Sequence, residues 1–182
     1  MTKKSPRKVA VKTEKAQKCV RWLMLGLGVA LFYALALIFE ISLSLAIADS
    51  KMPEIITQLT VLVWALAKVG IAFALICLYQ ATGYQKWALA ALLLAASALM
   101  GTILRNPESQ FLVMGIEALA VTALSLSLFD LGRATSRALE FPAGFIFIGV
   151  ILQILQNALM SYIGVVFLAI GFYLSLKRLM TS

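Results

Sequence analysis

The sequence predicts an all-α membrane protein. The expected architecture is a multi-spanning transmembrane bundle of six helices, with five as the alternative count, behind a short basic N-terminal tail. Three observations predict it. First, 62% of the 182 residues are hydrophobic and 13% are charged, against roughly 45–50% and about 25% in a soluble domain; the mean hydropathy is +0.96. Second, several apolar runs reach the roughly 20 residues that a spanning helix needs, which leaves little chain for a soluble domain. Third, eight of the sixteen Lys and Arg residues lie in the first 21 positions, opposed there only by Glu14. The net charge of +8 is thus a property of the tail, and the tail lacks the interleaved aromatic residues of a nucleic-acid site.

Residues 1–21 have too few apolar side chains to build a core and read as a disordered cytoplasmic tail. Residues 22–180 read as one bundle. Helix one covers about 22–48. A basic start followed by an apolar run ending in Ala46-Ile47-Ala48 resembles a secretory signal, but the run exceeds the usual apolar region of about 7–15 residues, so it reads as an uncleaved span. Asp49 to Glu54, with Pro53, ends it. Helix two covers 55–79, and Gly83 lies in the short turn that follows. The alanine-rich helix three covers 87–104 and stops at Asn106-Pro107, a turn-forming pair. Helix four covers 110–129. The linker DLGRATSRALE follows, where Asp130 and Glu140 are spaced to pair with Arg133 and Arg137. Pro142 suits a first helical turn.

Residues 141–176 read either as one kinked segment or as two short spans turning near Gln156-Asn157. Charge separates the two. With a cytoplasmic N-terminus and six helices, thirteen basic residues face inward and only Lys51 and Arg105 face outward. With five helices, Lys177 and Arg178 move outward. The positive-inside bias favours six, with spans at 139–155 and 158–176 and both termini in the cytoplasm. Trp22, Tyr79, Tyr84 and Trp87 then gather at one interface, where aromatic rings are enriched.

Small residues mark close helix contacts in lipid. Gly26, Ala30 and Ala34 on helix one, Ala91 and Ala95 on helix three, and Gly164, Gly171 and Ser175 on helix six form such ridges. They are expected to serve packing within the chain. Cys19 and Cys77 are expected at the cytoplasmic face, which is usually reducing, and so read as unpaired.

Three ionisable residues fall inside the spans: Glu40, Lys68 and Glu117. Each charge at the bilayer centre costs about 2.5–3.5 kcal/mol on insertion scales, so partners are expected, and such residues are functional candidates by default. Lys68 lies at the middle of helix two. Glu40 lies about 8 Å, and Glu117 about 4.5 Å, to the outer side of their helix midpoints at a rise of 1.5 Å per residue. The three depths are compatible with one cluster. Ser44 follows Glu40 by four residues, Thr60 and Trp64 precede Lys68 by eight and four, and Gln110 precedes Glu117 by seven, giving a polar face toward the outer side. Trp64 is placed to cover the ammonium by a cation–π contact.

The sequence contains no histidine, which removes His-based metal, haem and Ser-His schemes. Asp49 and Asp130 sit at opposite membrane faces and cannot form a dyad. No phosphate-binding glycine loop is present. A Ser–Lys hydrolase using Lys68 with Ser97 or Ser125 lacks a supporting motif. The sequence therefore predicts no enzyme, cofactor or metal. It predicts a multi-pass protein of the cell membrane acting as an accessory or assembly subunit, with a small transporter or substrate-binding transport component as the alternative. The expected partners are the bilayer, anionic headgroups met by the tail and another membrane protein.

Overall fold

The computed structural model describes residues 14–46, 54–103, 110–135, 138–155 and 157–181. All regular structure among them is helical: α1 (Glu14–Ala46), α2 (Glu54–Thr82), α3 (Gln85–Ile103), α4 (Gln110–Thr135), α5 (Glu140–Ile154) and α6 (Ala158–Met180). Five of these are long and apolar enough to cross a membrane, and α5 is a shorter apolar helix. Large apolar side chains such as Phe32, Phe39, Phe73 and Phe111 point outward. Exposed aromatic rings around a whole bundle suit lipid and not water. The chain is a membrane protein.

The last segment is two helices and not one kinked helix. Leu155 ends α5, and the Asn157 side chain caps α6 by accepting a hydrogen bond from the Leu159 N–H at 3.0 Å. That bond satisfies one of the donors left open at a helix start. Between α2 and α3, Gly83 takes φ +72° and its N–H bonds the Tyr79 carbonyl at 2.7 Å. This left-handed stop suits glycine. Two boundaries differ most from expectation. Helix α1 begins inside the predicted tail, where Ala16, Cys19 and Val20 are buried. Helix α4 runs through to Thr135, and the linker charges pair differently: Asp130 with Lys86 of α3 and Arg133 with Glu140, each at 3.2 Å.

Each helix packs on its neighbours in chain order, and α6 closes the ring onto α1. The C-terminal ends of α1, α3 and α5 form the distal end of the bundle, opposite the start of α1. Glycines set the closest crossings. A Cβ added to Gly26 would lie 2.7 Å from the Ile71 side chain and 2.9 Å from its backbone nitrogen. Between α5 and α6, Gly149 and Gly164 face each other, and a Cβ on either would meet the other's carbonyl oxygen at 2.8 or 2.7 Å. Ala30, Ala34, Ala91 and Ser175 are buried. The small-residue ridges thus serve contacts inside one chain.

Gly28, one turn-fraction away from Gly26, has open space around its Cβ position. Overpacking a tight contact costs about 1–3 kcal/mol. Gly26→Leu is therefore expected to lower the melting temperature in detergent by several degrees, whereas Gly28→Leu leaves it nearly unchanged. Equal melting of the two variants would remove the glycine contact from the account.

Candidate functional site

The register of α1 against α2 decides which predicted residues meet. Cys19 is bonded to Cys77 with a Cα–Cα separation of 5.5 Å, within the usual disulfide range. Seven residues on, Gly26 abuts Gly70 and Ile71. Seven further on, Tyr33 stacks on Trp64 at 4.7 Å between ring centroids and 11° between planes. These contacts recur every two turns along an antiparallel pair and fix its register. The cysteines, expected to be free thiols, are instead a cross-link at the tail-proximal end. Cys19 is fully buried, so compartment chemistry in bulk solution is a poor guide to it.

Trp64 and Lys68 lie one turn apart on the inner face of α2 and are both buried. The Lys68 ammonium meets the Glu117 carboxylate of α4 through Oε2 at 3.1 Å. It also donates to the Ser97 hydroxyl of α3 at 3.1 Å and reaches the Ser97 carbonyl at 3.5 Å. The Ser97 hydroxyl donates in turn to Glu117 Oε2 at 3.5 Å. The Trp64 indole N–H donates to the other carboxylate oxygen, Oε1. The ammonium also lies 5.2 Å from the centre of the Trp64 ring. An ammonium has three donors and a carboxylate has about four acceptor positions. The four side chains therefore satisfy nearly all of each other's capacity, which a buried charge requires.

Glu40 does not join them. From the level of the Tyr33–Trp64 stack it lies seven residues toward the distal end, while Lys68 lies four residues the other way. Together these offsets separate them by about 16 Å along the axis. The expected three-charge cluster is thus a two-charge pair. The sequence estimate placed Glu40 too close because α1 starts eight residues earlier than expected, which shifts its midpoint. Among the described residues no ion pair reaches Glu40, which is half-buried. Thr60 lies between α1 and α2 beside Tyr33, Phe32 and Val63, away from the ion pair. The side chains of Ser44 and Gln110 lie outside the described ones.

No known protein family matches the chain, and neither does any curated protein or solved structure.

On the distal side of the ion pair is a cavity of about 240 Å³. Its polar wall is Glu117, Trp64, Tyr33 and Gln153; its apolar wall includes Met114, Val121, Val150 and Leu168. Helix α5 is only 15 residues long, and its last turn, with Gln153 and Ile154, forms one rim. The Glu117 side chain is 28% exposed while that of Lys68 is 3% exposed. The carboxylate therefore fronts the cavity and the ammonium stands behind it. Tyr33, Ser97 and Gln153 were not among the site residues read from the sequence. Ser97 entered the sequence reading only as a hydrolase candidate beside Lys68; the spacing of seven residues between Tyr33 and Glu40 is a signal that could have found Tyr33, whereas Gln153 gives none in an apolar helix.

Proposed function

We propose that this chain is a small non-enzymatic membrane protein that binds a compact, partly apolar solute in its distal cavity, as a transport component or solute-binding subunit of the cell membrane. One observation carries the reading: a part-buried carboxylate, partnered by Lys68 from behind, fronts a cavity whose remaining wall is aromatic and aliphatic apart from Gln153. Sites for small molecules combine a mostly apolar lining with a few placed polar groups. The pairing of Lys68 with a carboxylate also argues against a Ser97–Lys68 hydrolase, because a paired ammonium has no lone pair to take a serine proton. The basic tail and the bias of Lys and Arg support a cytoplasmic location for both termini, with the tail near anionic lipid headgroups.

Gly115 lines the cavity and has free space at its Cβ position. Gly115→Leu is therefore expected to fill the cavity without loss of fold. With the purified protein in mild detergent, cyclohexanol is expected to raise the melting temperature of the wild type by several degrees and to leave that of Gly115→Leu unshifted. No shift in either protein would contradict the solute reading.

A second reading, an accessory or assembly subunit for another membrane protein, draws on the same ion pair used differently. Lys68, Ser97 and Glu117 tie α2, α3 and α4 in one register, a structural role well attested for buried polar groups. Isolation only within a larger complex, with no response to the solute, favours this reading; a monodisperse single protein that responds favours the first.

A further inference from the structure

We propose that the distal cavity selects a compact organic cation, a primary ammonium on a small hydrocarbon body, with Glu117 as its counter-charge. This rests on the reading of the cavity as a solute site. Among the described residues, Glu117 is the only carboxylate in the cavity wall, and no Lys or Arg lines it. Lys68 neutralises Glu117 overall but from behind, enclosed by Ser97 and Trp64. A solute entering from the distal side meets the carboxylate at contact distance and the ammonium only beyond it. Because Coulomb attraction falls with distance, the nearer charge sets the sign that the solute feels.

Lys68 itself shows which chemistry the site holds. Its ammonium is seated on a carboxylate, a hydroxyl and an indole ring. From the cavity side, a solute ammonium meets the other aspect of that carboxylate, the Tyr33 side chain and the Gln153 amide. A carboxylate next to stacked aromatic rings suits a cation. Among the described lining residues an anion would find no charged donor. Glu40, two turns beyond Tyr33 on α1, adds a second negative residue on the approach from the distal end. Met114, Val121, Val150 and Leu168 offer hydrocarbon to the rest of the solute. The volume of about 240 Å³ equals about eight liquid-water volumes, enough for one small ring.

Three probes of one shape separate the terms: cyclohexylammonium, cyclohexanol and cyclohexanecarboxylate. Binding to the purified full chain is read by tryptophan fluorescence and by thermal shift. The expected order has the ammonium at least tenfold tighter than the alcohol, and the carboxylate weakest. Glu117→Gln alone leaves Lys68 without its counter-charge, so the decisive variant is the double change K68M/E117Q, which removes both charges. In it the preference of ammonium over alcohol is expected to fall to near unity. Equal binding of ammonium and alcohol to the wild type overturns the cation assignment while leaving the solute site in place. A cation preference that survives K68M/E117Q overturns it too, by moving the counter-charge elsewhere. Failure of all three probes overturns the solute reading and this assignment together.

Discussion

Glu117→Ala is expected to be the most damaging single substitution in the bundle. It leaves the buried Lys68 ammonium facing only Ser97 and the Trp64 ring. Removing one partner of a buried ion pair costs about 3–5 kcal/mol, and for a chain of this size each kcal/mol shifts the melting temperature by about 2–4 °C. A drop of roughly 10 °C or more is the expected reading in detergent. Lys68→Met is expected to cost less. Glu117 would still accept from Trp64 and Ser97, and it fronts the cavity. Lys51→Met, in the polar stretch between the first two helices, should stay within about 0.5 kcal/mol of the wild type. The double change K68M/E117Q is expected to recover most of the loss, because an apolar substitute avoids desolvating charge. Strict additivity of the Lys68→Met and Glu117→Gln single effects in that double variant would mean that the residues do not act as a pair.

The second large effect concerns Cys19 and Cys77. Their bond joins residues 58 apart in sequence. Closing a loop of that size stabilises by about 4 kcal/mol on the chain-entropy account. That figure is an upper bound in detergent, where helical structure persists in the denatured chain and lowers the entropy removed. The variant with both cysteines changed to alanine is expected to melt well below the wild type, and reductant should lower the wild type toward it without moving the variant. Because Cys19 is fully enclosed, reduction should require heating or partial unfolding. Rapid alkylation of both cysteines in the unreduced native protein would contradict the cross-link.

The helical membrane fold was legible because lipid imposes a strong rule: a spanning segment must satisfy its own backbone and present apolar side chains. Charge placement then separated α5 from α6, and the Asn157 cap lies where the turn was expected. The Lys68–Glu117 pair was legible because depth along a helix is counted directly from residue number. Glu40 shows where such counting stops. Its depth depended on where α1 begins, and that was set by burial of Ala16, Cys19 and Val20, not by hydropathy. Ser97, Tyr33 and Gln153 could not be assigned, since their roles depend on which way each helix is rotated. For Tyr33 on α1 and Gln153 on α5 that rotation is fixed by the glycine contacts at Gly26 and between Gly149 and Gly164. The small-residue pattern announced that helices would meet closely, without saying which ones. The cross-link was hidden for a different reason: compartment arguments concern thiols that solution can reach.

The central claim is that Glu117 is an ionised carboxylate held by Lys68 at the edge of a cavity. Infrared difference spectra between the wild type and Glu117→Gln isolate the absorption of that one side chain. The structure predicts that the difference contains the bands of an ionised carboxylate, and that these bands move in a Lys68→Met background, where the 3.1 Å ammonium contact is lost. A Glu117 signal that is identical with and without Lys68 would contradict it.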